Sequence, residues 1–118
     1  MGVFKITIEV GDPTGQRFEP VDALVDTGAT FSVIPATMLR SLDIESIERG
    51  SFELADGTLR EFELGETRVR VHGTEVNTVV VFCDEGTEPL LGAYTLERLR
   101  LAVDPARQHL ISVPGRLM

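Results

Sequence analysis

One aspartate lies where a charged side chain is unexpected. Asp26 stands between the core-type residues of segment 23–25 and those of segment 29–35, in the order Ala-Leu-Val-Asp-Thr-Gly-Ala. An ionised carboxylate in such surroundings costs free energy unless a partner compensates it. Carboxylates are also among the groups that carry out general acid–base catalysis. Asp26 is therefore either a functional group or a turn residue that hydrogen-bonds its own backbone, and the local residues leave both interpretations open.

A second motif, Leu90-Leu91-Gly92, comes later in the chain and precedes a predicted helix. A hairpin signal, Asp56-Gly57, lies between the two motifs. The order hydrophobic-hydrophobic-Asp-Thr-Gly-Ala, hairpin, hydrophobic-hydrophobic-Gly and short helix resembles the retropepsin family of aspartic proteases. The likeness is greater to the bacterial members that carry one Asp-Thr-Gly-Ala per chain. It extends from about residue 3 to residue 113.

The resemblance implies that one chain supplies half of an active site. Asp26 is then the catalytic carboxylate, and its partner is Asp26 of a second copy across a two-fold axis. Two carboxylates about 3 Å apart share one proton, so the ionised member acts as general base on a water and the protonated member acts as acid. The family pattern also implies that Thr27 hydrogen-bonds across the dimer. Gly28 would allow backbone or substrate to approach where a Cβ would clash.

The resemblance further implies a set of substrate-binding residues. They are Ala29, Ala55, Asp56, Gly57, Leu91 and Gly92. The hairpin tip would be a flap that closes over a peptide and pairs with its backbone, with an ordinary surface hairpin as the alternative. Gly92 would pack under the Asp26 loop on Leu90 and Leu91, with a helix N-cap or turn glycine as the alternative. Ala29, where many pepsin-like enzymes have Ser, implies fewer hydrogen bonds to the carboxylate and a dyad that works nearer neutral pH.

The function that the resemblance implies is an aspartic endopeptidase acting as a homodimer on a peptide or protein substrate, without a cofactor or metal. The alternative is a non-catalytic peptide-binding or dimerisation module of the same fold, which would hold an extended peptide at a sheet edge. The single aspartate and the modest flap support the alternative. His72 and His109 lack metal-ligand spacing and are expected at the surface. Cys83 is expected in the core.

Short strands joined by hairpins must position these motifs. The alternation of apolar and polar residues predicts strands over 3–10, 18–25, 31–34, 51–55, 58–64, 68–72, 75–82, 101–103 and 109–113. Turns are predicted at Asp56-Gly57 and Gly73-Thr74, and short helices over 36–42 and 93–99. The chain is thus predicted to be mostly β. The resemblance implies a retropepsin-like closed β-barrel with one or two short helices.

The composition limits the possible partners. The 118 residues, 42% hydrophobic and 25% charged, predict a single domain over 1–118. Eleven Lys and Arg against 19 Asp and Glu give a net charge of -8, so nucleic acid and anionic membranes are not expected as partners. Cys83 is the only cysteine, which excludes an internal disulfide. No apolar run approaches the roughly 20 residues of a membrane span and no signal peptide is evident, so a cytoplasmic location is expected.

Overall fold

Alternating apolar and polar residues form a strand-rich fold. The computed structural model describes residues 4–115 and 117, so Val3, the predicted start of the first strand, lies outside the described residues. Within them the chain forms two short helices, α1 (Ala36–Ser41) and α2 (Ala93–Leu99). The nine strands are β1 (Lys5–Gly11), β2 (Phe18–Val25), β3 (Ser32–Pro35), β4 (Glu48–Glu53), β5 (Leu59–Val71), β6 (Thr74–Cys83), β7 (Leu90–Leu91), β8 (Leu101–Asp104) and β9 (His109–Ser112). The predicted mostly β fold with two short helices is confirmed.

Seven strands make one sheet that closes on itself. Their order is β1-β2-β7-β3-β6-β5-β4, and a further antiparallel pairing of β1 with β5 completes a ring. This pairing leaves β4 as an extension outside the ring. Two neighbour pairs, β2 with β7 and β3 with β6, run parallel, while β8 and β9 form a separate two-stranded sheet. The closed sheet expected from the resemblance is confirmed.

The core fills the inside of this ring. Ile8 and Val10 of β1 are fully buried, and they meet Val69 of β5 in one apolar cluster. Leu39 of α1 and Leu96 of α2 join the same cluster, which fixes both helices against the sheet. Full burial of each such side chain contributes about 1.5–3 kcal/mol relative to exposure. No helix in the described part of the chain is long and apolar enough to cross a membrane.

The predictions for the histidines and the cysteine are confirmed. His72 and His109 are exposed, and Cys83 is buried at the end of β6. Burial raises the pKa of the Cys83 thiol to about 11, and the neighbouring Asp84 carboxylate acts in the same direction. The thiol therefore stays protonated at neutral pH, as expected for a core residue.

The strands predicted over 58–64 and 68–72 form one continuous strand, β5, and that separation was wrong. Pairing with β6 runs without interruption from Leu64 opposite Val81 to Val71 opposite Thr74. Gly65 lies within this strand, and a Cβ there would lie 2.8 Å from the Glu45 carbonyl oxygen. The glycine therefore marks a close approach of two backbones and leaves the strand intact. The other element boundaries differ from the predicted ones by a few residues at most.

The β5–β6 turn lies one residue earlier than the predicted Gly73-Thr74. Val71 pairs with Thr74, so His72 and Gly73 are the two central residues. Their φ angles are 51° and 81°, and two successive positive φ values are what a type I′ turn requires. His72 thus shares the left-handed conformation of Gly73.

The hairpin that joins β4 to β5, which we call the flap, also differs from its predicted two-residue turn. The Leu54 N–H donates to the Thr58 carbonyl at 2.8 Å, which leaves the three residues 55–57 in the loop. The Gly57 N–H donates back to the Leu54 carbonyl at 2.9 Å, and Gly57 has a φ of 87°. This is the three-residue hairpin in which a left-handed glycine follows a tight turn. Asp56-Gly57 marked the hairpin correctly but not its length.

Asp12 holds the turn between β1 and β2. Its Oδ1 accepts the N–H groups of Gln16 and Arg17 at 2.9 and 3.1 Å, and its Oδ2 accepts the Thr14 hydroxyl at 3.0 Å. These hydrogen bonds, the one from Arg17 above all, lower the pKa of the Asp12 carboxyl below its ordinary value. The unfolded chain therefore binds this proton more readily than the folded chain does. The stabilisation is complete above the unfolded pKa of about 3.9 and is lost as the pH falls through the folded pKa.

We expect Asp12→Asn to reduce the acid sensitivity of the fold. The amide keeps an oxygen acceptor for the turn but cannot titrate, so the free energy of unfolding should fall less steeply as pH is lowered from about 5. Urea unfolding of both proteins at a series of pH values measures this slope. Asp22→Asn, the same change at an exposed position of β2, is the control. An identical slope in wild type and Asp12→Asn would contradict the assignment.

Candidate active site

The loop 26–31 connects β2 to β3 and carries the Asp-Thr-Gly-Ala motif. The Asp26 N–H donates to the Leu91 carbonyl at 3.0 Å, and the Ala29 N–H donates to the Asp26 carbonyl at 3.2 Å. Oδ1 of Asp26 accepts the Gly28 N–H at 2.9 Å. The other oxygen, Oδ2, accepts no hydrogen bond from the residues that the structure describes. One carboxylate oxygen thus holds the turn, while the other is available to a second group.

Strand β7 and Gly92 pack against this loop and support it. Leu90 and Leu91 pair in parallel with the end of β2, opposite Leu24 and Val25. A Cβ at Gly92 would lie 2.6 Å from the Phe31 carbonyl carbon and oxygen. Glycine is therefore required for the close approach of α2 to the loop. Gly92 is also the N-cap residue of α2. It therefore both packs against the Asp26 loop and begins the helix, the two roles that the sequence left open.

A groove of about 850 Å³ opens beside Asp26, between the loop and the flap strands β4 and β5. Its aromatic and larger aliphatic lining residues are Phe31, Val33, Phe52, Leu54, Phe62, Val81 and Leu90. The rings of Phe31 and Phe52 meet edge to face with centroids 6.0 Å apart, which joins the loop side of the groove to the flap side. Glu53 and Arg60 are charged residues of the flap strands at the groove. The site is thus a mainly apolar groove, with Asp26 on its loop side and Glu53 and Arg60 on its flap side.

A smaller cavity of about 290 Å³ lies between α1 and the strands β4 and β5, and Asp26 is not part of its lining. Most of its charged residues pair with one another. Arg40 lies 3.6 Å from Glu63, and Arg49 lies 3.5 Å from Glu61. In the described segments no three His, Cys, Asp or Glu side chains are placed to share a metal ion. The Asp26 groove is therefore the candidate site.

The structure brings some of the predicted site residues together at the groove. Asp26, Gly28, Ala29 and Ala55 line it, and Thr27 is exposed beside them on the same loop. These residues are contributed by the motif loop and by the base of the flap turn. The carboxylate is therefore within reach of whatever occupies the groove.

Other predicted residues lie elsewhere. Leu91 is fully buried beneath the loop, so it supports the loop and does not line the groove. Asp56 and Gly57 are exposed at the flap tip and do not line the groove either. The Asp56 carboxylate accepts the Thr58 hydroxyl at 2.7 Å and the Thr58 N–H at 3.0 Å. These bonds, the hydroxyl first, lower the pKa of Asp56 and hold the flap turn.

Sequence analysis missed two aromatic residues of the groove, Phe52 and Phe62. They lie on neighbouring flap strands, and their rings approach to 6.1 Å between centroids. Each Phe stands among charged or small residues, and this alternation predicts that the Phe side chain lies on the apolar face of its strand. That alternation alone could not show that their common face looks toward Asp26.

Comparison with known proteins places the chain in a family. The family model described as "gag-polyprotein putative aspartyl protease" matches residues 16–98. That span is more than half of the chain and includes both motifs. A comparison with curated proteins finds no significant match.

Solved structures share the fold. The retroviral protease-like domain of Ddi1 from Leishmania major is 20% identical with a TM-score of 0.60, covering 95% of this chain and 89% of that one. The simian foamy virus (mac) protease is 18% identical with a TM-score of 0.56, covering 79% and 91%. A retropepsin-like aspartic protease from Rickettsia conorii is 17% identical with a TM-score of 0.51, covering 88% and 90%. The family match shows that the chain belongs to the retropepsin-like aspartic proteases of the gag-polyprotein type, and the shared fold agrees with it.

Proposed function

We propose that the protein is an aspartic endopeptidase that cleaves peptide bonds as a homodimer, with a water activated between the Asp26 carboxylates of the two chains. The observation that carries the proposal is the position of Asp26, whose carboxylate lines a large apolar groove. Its loop is held by one backbone hydrogen bond to β7 and by two from the first residues of α2, which favours a fixed position of the carboxylate. Membership of the family supports the same chemistry.

The homodimer follows from the chemistry of the dyad. In the described part of the chain, no second carboxylate is hydrogen-bonded to Asp26, whose Oδ1 accepts the Gly28 N–H. An aspartic dyad needs two carboxylates that share one proton, and their titrations belong to the pair. A second copy of the chain would supply the missing group. The exposed Thr27 beside Asp26 is then available for contact with that copy.

In the proposed reaction the ionised Asp26 takes a proton from the water as the water oxygen attacks the peptide carbonyl carbon. The protonated Asp26 of the other chain donates its proton to the carbonyl oxygen, which gives a tetrahedral intermediate. The Asp26 that took the water proton then gives it to the amide nitrogen, while the other Asp26 takes a proton from one hydroxyl of the intermediate as its C=O bond forms again. The C–N bond breaks, and a carboxylic acid and an amine leave. The dyad ends with one proton, as it began.

The groove suggests which peptides are cleaved. Its lining is mostly aromatic and aliphatic, so apolar side chains next to the cleaved bond gain the most from burial. The flap strands can also pair with an extended peptide backbone. We therefore propose an extended peptide with apolar residues at the cleaved bond as the substrate.

The test is cleavage of a mixed peptide library from pH 4 to 7, at two protein concentrations on either side of the monomer–dimer transition measured by sedimentation. We expect specific activity to fall on dilution, because a monomer holds half of the dyad. The cleaved sequences report the preferred side chains. Constant specific activity in the monomer range would reject the homodimer. No cleavage by a folded protein that binds peptides would favour the non-catalytic peptide-binding module.

A further inference from the structure

Three hydroxyl side chains lie in the core beside the candidate site. Ser32 of β3, Thr78 of β6 and Thr95 of α2 are at most 2% exposed. Ser32 Oγ lies 2.7 Å from Thr95 Oγ1, and Thr95 Oγ1 lies 2.8 Å from Thr78 Oγ1. These contacts form one continuous chain of hydrogen bonds across three elements. We call it the hydroxyl chain.

The hydroxyl chain ends on the backbone that supports Asp26. The Gly92 N–H donates to Ser32 Oγ at 3.0 Å. The next two amides of α2 bond to the motif loop, since the Ala93 N–H donates to the Ala29 carbonyl at 2.7 Å and the Tyr94 N–H donates to the Thr30 carbonyl at 2.9 Å. The first N–H groups of a helix have no partner within the helix. Here they connect α2 to the loop.

Core packing does not by itself call for hydroxyl groups at these positions. A buried hydroxyl costs free energy unless it is hydrogen-bonded, and apolar side chains of the same shape can replace a bonded pair with little loss. Hydrogen bonds between hydroxyls differ from apolar contacts because each bond restricts the separation and the angle of the elements that it joins. With Gly92 donating to Ser32, Ser32 can donate to Thr95 and Thr95 to Thr78. The position of α2 relative to β3 and β6 is thereby restricted at its first turn.

We infer that Ser32, Thr78 and Thr95 are positioning residues, which hold the Asp26 loop against α2 in the geometry that catalysis requires. This inference rests on the proposed protease function. The three hydroxyls act through the backbone of Gly92 and the loop, and none of them lines the groove. A displacement of about 1 Å in a catalytic group is enough to lower a rate about 100-fold.

The decisive variant is Thr95→Val, which keeps the shape of the side chain and removes the hydroxyl shared by Ser32 and Thr78. We expect kcat to fall about 10- to 100-fold, with KM and the dimer dissociation constant changed less than about twofold. Thr95→Ser keeps the hydroxyl and should restore most of kcat. Ser32→Ala, which removes the acceptor of the Gly92 N–H, is a second variant should Thr95→Val fold poorly, and the same loss of kcat is expected.

Thr67→Val is the matched control. Thr67 is also buried, but its hydroxyl donates to the Gly11 carbonyl at 2.7 Å, away from the motif loop. This variant should lose stability and keep its kcat. The inference is overturned if Thr95→Val loses no more kcat than Thr67→Val, or if Thr95→Ser restores none.

A second measurement separates this inference from the protease proposal. Amide hydrogen exchange at Gly92, Ala93 and Asp26 should be faster in Thr95→Val than in wild type, and unchanged in Thr67→Val. If wild type cleaves no peptide, the protease function is rejected while the exchange data still test the positioning role. Unchanged exchange at these three amides in Thr95→Val would overturn the positioning role, whatever the activity.

Discussion

Asp26→Asn is expected to abolish measurable peptide hydrolysis and to inhibit wild-type protein mixed with it. An amide cannot take a proton from water, so the general base is lost and the rate should fall by about 10²–10⁴-fold or more. The asparagine oxygen can still accept the Gly28 N–H that now bonds to Oδ1 at 2.9 Å, so the loop should keep its shape. Peptide cleavage by the variant alone, with circular dichroism as a check on folding, measures this loss.

Mixing the two proteins tests whether the dyad is shared. When chains exchange freely and Asp26→Asn is in ninefold excess, a wild-type chain finds a wild-type partner in about one dimer of ten. Activity per wild-type chain should then fall to about one tenth. Undiminished activity in the mixture would mean that one Asp26 is sufficient and would reject the two-chain mechanism. Asp22→Asn, the same substitution at an exposed position, should by itself cleave as wild type does.

Much of the fold could be predicted because its signals are local. The apolar and polar residues that alternate along β1 also alternate in burial, since Ile8 and Val10 face the core and Lys5 is exposed. The turn errors arise where several residue types suit one position. His72 occupies a left-handed position usually taken by Asn, Asp or Gly, so the glycine beside it gave the wrong register. The predicted separation of 58–64 from 68–72 was wrong, and the contact that accounts for Gly65 inside β5, with the Glu45 carbonyl oxygen, comes from another segment of the chain and leaves no local signal.

The candidate site was predictable only where its residues belong to a motif. Asp26 and Gly92 are recognised from their immediate neighbours, and the structure places Asp26 on a loop and Gly92 at the start of the helix that supports this loop. The groove walls and the hydroxyl chain depend on contacts between distant segments. Ser32 and Thr95, 63 residues apart, are ordinary strand and helix residues until the fold brings them within 2.7 Å. No local pattern distinguishes a serine with such a partner from a surface serine.

The second large effect is expected at Gly92, where Gly92→Ala should destabilise the fold and impair catalysis together. The new Cβ would lie 2.6 Å from the Phe31 carbonyl carbon and oxygen and 2.9 Å from the Ala29 carbonyl oxygen. These are backbone atoms, which cannot rotate away, so the loop or α2 must move. The φ of Gly92 is -94°, which alanine adopts readily, so the effect comes from space and not from backbone conformation. Overpacking of this kind typically costs about 1–3 kcal/mol of stability.

Urea unfolding and peptide cleavage measure the two consequences of Gly92→Ala separately. We expect a lower unfolding midpoint and, under conditions where the variant is fully folded, a kcat reduced about 100-fold, because the displaced loop carries Asp26. Gly50→Ala is the control for stability, since its Cβ would lie 3.3 Å from the Phe52 ring and 3.4 Å from a Leu64 methyl, both of which are side chains that can adjust. Its unfolding midpoint should stay close to that of wild type. A Gly92→Ala protein as stable and as active as Gly50→Ala would show that the contact between α2 and the loop is dispensable. The carboxylate would then be held by the bond from the Gly28 N–H to Oδ1 and by the bond from the Asp26 N–H to the Leu91 carbonyl of β7.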